Sequence, residues 1–231
     1  MRYLLPILLT IGCLVMDHIF LAEMERGNHP RAVRLKGVAS LCFVLIGLYF
    51  TLISPDRGRA VLVLFGLVLG MIGDVLLAMR FEYPEKHDSY FLIGAISFAI
   101  GHLFYLAALI GLQSKALLWG LPFWVVGLGL SAFYAFQKKS DAGAMQIPGY
   151  GYIALVVAMG AVACGLAAGR PCTATVLFAL GGILFVVSDN LLAAHCFGTA
   201  KAPVYNRWVH YTYSAAQLLS AWSLAFIVRG V

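Results

Sequence analysis

Two stretches of this chain, Gly73-Asp74-Val75-Leu76-Leu77-Ala78 and Ser188-Asp189-Asn190-Leu191-Leu192-Ala193, place an aspartate inside a long apolar run. Each has a small residue, the aspartate, one intervening residue and then Leu-Leu-Ala. An ionised carboxylate surrounded by hydrocarbon costs about a few kcal/mol or more unless it is paired, hydrated or protonated, so such residues mark reaction sites or proton pathways by default. Asp74 and Asp189 are therefore the candidate chemical groups. Two carboxylates can divide the work of general acid and general base, or they can carry protons through a transporter.

Other polar side chains recur at helical spacing around them. His210, Tyr213, Ser214 and Gln217 stand at i, i+3, i+4 and i+7, with Asn206 one turn earlier, and form one stripe on an apolar segment. Within a membrane such a stripe must face protein or a wet cavity. His102 and Tyr105 share a face of another segment, and Ser188 and Asn190 flank Asp189. Gly66, Gly70 and Asp74 follow one another at four-residue steps, which suits close helix packing of the small-x-x-x-small kind. Lys36 opens an apolar run, where a lysine snorkels or meets a phosphate. Asp17-His18 falls near the end of the first run, a position that suits the membrane interface.

These groups need helices to hold them. The chain is 62% hydrophobic and 11% charged, with a mean hydropathy of +0.90, against about 25% charged residues in soluble domains. That composition specifies an all-α integral membrane protein. Gly, Pro and charge punctuation divide the 231 residues into eight spans, over 4–22, 36–54, 60–79, 90–112, 117–137, 147–168, 173–197 and 205–228, in a single transmembrane domain. The run from Tyr3 to Met16 resembles a secretory signal, but Phe20-Leu21-Ala22 lacks the small residue expected at −3, so it reads as the first span.

The +6 net charge comes from Lys and Arg scattered through short loops, which excludes a nucleic-acid face. With eight spans, Arg2, Arg57, Arg59, Lys115, Arg170 and Arg229 share the side of the termini. Ten Lys and Arg residues lie opposite, including Arg80 in the loop after the third span. The bias places the odd-numbered loops in the cytoplasm. The five cysteines have no C-x-x-C spacing and read as small apolar residues.

Asp74 and Asp189 lie 14 and 16 residues into their spans, about 21 and 24 Å deep on helices that run the same way. Their offset of 115 also maps His102 onto Gln217, Ser97 onto Thr212, Phe98 onto Tyr213 and Gly101 onto Ala216. That pattern suggests two parallel four-helix pseudo-repeats; Asp17 maps onto Ala132 and has no counterpart. No G-x-S-x-G, P-loop or H-E-x-x-H motif occurs. A metal site from His102, His195, His210 and Asp189, as in a zinc-dependent lipid amidase, has no strong ligand spacing.

The segments GLVLGMIGDVLLAM, YFLIGAISFAIGHLFYLA, FALGGILFVVSDNLLAA and YTYSAAQLLSAWSL, in this order, resemble the YhhN-like lysoplasmalogenases, which include the transmembrane protein 86 group. The chain departs from that pattern at Lys36-Gly37, where the family has Lys-Pro, and at Tyr213-Ser214. The resemblance implies hydrolysis of the vinyl ether of a lysoplasmalogen to a fatty aldehyde and glycerophosphoethanolamine or glycerophosphocholine, with no metal or other cofactor. It implies a lysophospholipid substrate held in membrane lipid, in a bacterial inner membrane or an endoplasmic reticulum. Asp74 and Asp189 would then act as a joint acid and base pair. His102, Tyr105, Tyr213, Gln217 and Asn190 would line the site, Lys36 would meet the phosphate, and Tyr205, Trp208 and Tyr211 would face the head-group ammonium.

Overall fold

The computed structural model describes residues 2–227, so Val228 and Arg229 of the sequence reading lie outside the described residues. Among the described residues eight long helices follow one another: α1 (Leu4–Glu25), α2 (His29–Ile53), α3 (Arg57–Glu82), α4 (His87–Leu112), α5 (Ala116–Gln137), α6 (Gln146–Gly169), α7 (Thr173–Phe197) and α8 (Pro203–Ser223). Single 3₁₀ turns precede α4 and α6 and follow α8, and no strand occurs among the described residues. This is an integral membrane protein. Seven of the helices are long and apolar enough to cross a bilayer. α8 falls short in apolarity because the polar stripe from Asn206 to Gln217 dilutes it. Its register shows that it runs the full length of α1 in the opposite sense: Arg207 pairs with Glu25, Tyr211 with His18, Ser214 with Asp17 and Trp222 with Thr10.

The helices extend past the apolar runs, and this shifts two charged residues. Expected to start at Lys36, α2 begins at His29, with Pro30 in its first turn. Proline suits that position because its missing N–H would be unpaired there anyway. Lys36 therefore lies two turns inside the bundle. Arg80, read from the sequence as a loop residue, is in the last turn of α3 and only 7% exposed.

The bundle is inside-out by the standard of a soluble protein. Leu4, Leu8, Val125, Phe133 and Phe136 are among many large apolar side chains on the outer faces, while Asp17, Lys36, Asp74, His102, Asp189 and Gln217 are buried. Helix packing explains the order. Consecutive helices pack as neighbours within α1–α4 and within α5–α8, whereas α4 barely touches α5. The halves are joined where α4 meets α6 and where α8 meets α2, and these are the same contact displaced by four helices. The offset of 115 recurs in detail. A Cβ at Gly101 would lie 3.2 Å from the Gly66 carbonyl, and one at Gly181 would lie 3.0 Å from that of Ala216. Several polar contacts cross between the halves, among them Ser214 to Asp17, Tyr105 to Gln217 and Tyr213 to the Gly70 carbonyl.

Candidate active site

Asp74, from the middle of α3, is buried and accepts a hydrogen bond from Ser40 Oγ on α2. Lys36, one turn earlier on α2, brings Nζ to 3.6 Å from Asp74 Oδ1 and 2.9 Å from Asp17 Oδ1. Asp17 also accepts from Ser214 Oγ of α8 at 3.0 Å. The ammonium is further enclosed by the rings of Phe20 and Tyr213, with centroids 5.3 and 5.2 Å away. Lys36 thus joins two carboxylates inside the bundle, 2% exposed.

This corrects two readings. Lys36 neither snorkels nor lies at an interface where a phosphate could reach it directly, because its helix starts two turns earlier. Asp17 is not interfacial: it is 1% exposed and is the closer partner of Lys36. Its neighbour His18 faces outward and meets the Tyr211 hydroxyl at 2.9 Å. A signal for Asp17 existed in the sequence, since a third intramembrane carboxylate and a lysine preceded by Asn28-His29-Pro30 call for each other once the helix start is placed at that proline.

Asp189 occupies the equivalent place on α7, and its partner also comes from the preceding helix. Tyr152 Oη of α6 donates to Asp189 Oδ2 at 2.9 Å. Tyr152 escaped the sequence reading because no spacing links it to Asp189. Ser188, Asp189 and Asn190 diverge as successive helical residues must. Ser188 donates to the Val209 carbonyl of α8, while Asn190 donates to Ser131 Oγ of α5 and to the Val186 carbonyl. Asn190 is therefore directed at α5 and does not line the cavity described below.

A chain of hydrogen bonds joins α4, α8 and α3. Tyr105 Oη donates to Gln217 Oε1 at 2.6 Å, Gln217 Nε2 donates to Tyr213 Oη at 2.7 Å, and Tyr213 Oη donates to the Gly70 carbonyl at 3.2 Å. The glycines of α3 make room for it. A Cβ at Gly66 would fall 2.2 Å from the Tyr105 ring, and one at Gly70 would fall 2.1 Å from Gln217 Nε2. They admit side chains of α4 and α8, a different use from the helix-to-helix contact expected of them. His102 donates through Nδ1 to the Phe98 carbonyl at 2.7 Å, and its ring meets Tyr105, Tyr152 and Phe185.

Asp74 and Asp189 line one cavity of about 40 Å³, together with Arg80, Phe98, Ser188, Asn206, His210 and Tyr213. That volume holds a few waters. The three aromatic residues assigned to an ammonium go to separate neighbourhoods. Tyr205 accepts from Lys138 Nζ at 3.2 Å, Trp208 is 56% exposed, and Tyr211 meets His18. No group of three or more His, Cys, Asp or Glu is placed to hold a metal ion among the described residues. His195 and His102 spend Nδ1 on backbone carbonyls, and His210 packs edge-on against Phe20.

The model of the YhhN family matches residues 32–224, a range that includes both aspartates, Lys36 and the whole hydrogen-bonded chain. The chain belongs to the YhhN family. It is 33% identical over 183 residues to the human protein named lysoplasmalogenase TMEM86A, covering 77% of this chain and 69% of that protein. The bovine protein of the same name is 34% identical over 182 residues, with the same coverage. No solved structure matches. The matched range of this YhhN protein begins after Asp17, which α1 contributes from outside it.

Proposed function

We propose that this YhhN protein hydrolyses the vinyl ether of lysoplasmalogens, with Asp74 and Asp189 as its acid and base pair. The names of the human and bovine relatives support the reaction class. The observation that carries the assignment of residues is that these two buried carboxylates, from different halves of the bundle, line a single cavity. Their surroundings differ. Asp74 has the ammonium of Lys36 beside it and a hydroxyl donor, whereas among the described residues Asp189 has only the hydroxyl of Tyr152 as a hydrogen-bond donor. In a medium where an unpaired charge is costly, Asp74 is the carboxylate and Asp189 the carboxylic acid.

The reaction then runs in balanced steps. Asp189 gives its proton to the β-carbon of the vinyl ether, and the α-carbon becomes an oxocarbenium ion beside the negative Asp74. Water adds to the α-carbon and yields a proton to Asp74, forming a hemiacetal. The hemiacetal collapses to fatty aldehyde and the glycerol hydroxyl, and the proton on Asp74 returns to Asp189 through the waters of the cavity. One water is consumed overall. General acid and base catalysis contributes about 10² to 10⁴-fold, and a fixed carboxylate beside the cation adds to it. Tyr105, Gln217 and Tyr213 hold the cavity wall in register. The substrate is a lysophospholipid that comes from the membrane, and the Lys and Arg bias that remains in the loops supports odd-numbered loops in the cytoplasm, in a bacterial inner membrane or an endoplasmic reticulum.

The test is aldehyde release from a lysoplasmalogen by the purified protein and by Asp74→Asn and Asp189→Asn. Each variant is expected to lose at least about 10²-fold in kcat while keeping its melting temperature within a few degrees. Full turnover in either variant removes that aspartate from the mechanism.

A further inference from the structure

We infer that Arg80 forms the subsite for the phosphodiester anion of the lipid substrate, a role that rests on the lysophospholipid reading above. Arg80 is 7% exposed, and its guanidinium is stacked on Phe81 and Phe91 at 4.6 and 5.2 Å. It has no carboxylate partner within ion-pair distance among the described residues. Among the described residues its Nη1 and Nη2 reach only Cys196 Sγ, both at 3.8 Å, and its Nε has no hydrogen-bond partner. A guanidinium carries five N–H donors and keeps its charge in proteins. Buried and unpaired, such a charge is strongly unfavourable. Its fork matches two oxygens of a phosphate, and a thiol sulfur is a weak acceptor that an oxyanion readily replaces.

The place of this charge fits the proposed reaction. Arg80 lines the cavity of Asp74 and Asp189, and no other lysine or arginine does among the described residues. Lys36 cannot take the role, because Asp17 and Asp74 already hold its ammonium. Arg80 is six residues beyond Asp74 on α3, a rise of about 9 Å. In a lysoplasmalogen, seven bonds connect the vinyl ether β-carbon to phosphorus. Three bonds of extended chain cover about 3.8 Å, so seven cover about 9 Å. A lipid with its β-carbon at the aspartates would therefore place its phosphate at Arg80, near the end of α3, where a head group meets the membrane surface.

The experiment compares wild type, Arg80→Gln and Arg80→Lys on 1-alkenyl lysophosphatidylethanolamine and on 1-alkenylglycerol, which lacks the phosphate. Arg80→Gln is expected to raise KM for the phospholipid by about 10- to 100-fold, with kcat nearly unchanged and no effect on 1-alkenylglycerol. Equal losses on both substrates, or no loss on either, overturn the proposal. A second measurement follows binding of the non-cleavable 1-alkyl lysophospholipid by calorimetry. If wild type cleaves neither substrate, the lysoplasmalogenase reading fails, and this binding decides the anion subsite. Weakening in Arg80→Gln supports it, and unchanged affinity overturns it. Inorganic phosphate is expected to displace the lipid no better than chloride at equal ionic strength, and displacement at micromolar concentration would overturn the lipid assignment. If Arg80→Gln does not fold, Arg80→Lys is read alone. It keeps the charge, loses the fork and is expected to raise KM only for the phospholipid; unchanged KM overturns the proposal.

Discussion

Replacing Lys36 by methionine tests the electrostatic core of the site. At an effective dielectric of about 20, the attraction of Lys36 to Asp17 at 2.9 Å is about 6 kcal/mol and to Asp74 at 3.6 Å about 5 kcal/mol. Desolvation offsets most of this. Removing one member of a buried ionic group nevertheless costs about 3–5 kcal/mol, because the charges left behind have no counterion. For a chain of this size that corresponds to roughly 6–20 °C in Tm. Lys36→Met should therefore melt at least several degrees below wild type. Adding Asp17→Asn should return most of the lost stability, because the double variant leaves Asp74 as the sole carboxylate in the cluster, and that one can protonate. Catalysis should not return, since Asp74 then lacks the cation that keeps it a base. The assay is a melting curve in detergent beside aldehyde release, for the two single variants and the double. Lys36→Met that melts with wild type refutes the ion-pair reasoning, and a double variant with full turnover refutes the role of Lys36 in catalysis.

Two further outcomes follow from the geometry. Tyr152→Phe removes the hydroxyl that Asp189 accepts at 2.9 Å; losing such a bond is worth about 1–3 kcal/mol, so kcat should fall about 5- to 100-fold with the fold intact, as checked by turnover and melting temperature. Gly70→Ala places a methyl 2.1 Å from Gln217 Nε2, which forces the glutamine from its bonds to Tyr105 and Tyr213; overpacking of this kind costs about 1–3 kcal/mol, and turnover should fall with Tm, whereas a wild-type profile would show that the hydrogen-bonded chain is dispensable.

Composition and periodicity determined that this chain is a helical membrane protein, and they located every one of the eight helices. The reason is that hydrocarbon leaves the backbone few options and the apolar runs are long. Asp74 and Asp189 were legible on the same ground, since a carboxylate in such a run is conspicuous. The ends of the helices were less legible. Apolarity marks the part of a helix in the hydrocarbon and not its full hydrogen-bonded length, so α2 was read seven residues short and Lys36 and Arg80 were assigned to the surface. Tertiary structure alone decided the pairing. That Lys36 is shared by Asp17 and Asp74, that Tyr152 serves Asp189, and that Arg80 has no counterion among the described residues depend on distances between helices far apart in the sequence. A side chain's spacing along its own helix carries its face, whereas its partner is set by which helices pack together, and that is fixed by glycines such as Gly66 and Gly70 and by the fit of the two halves.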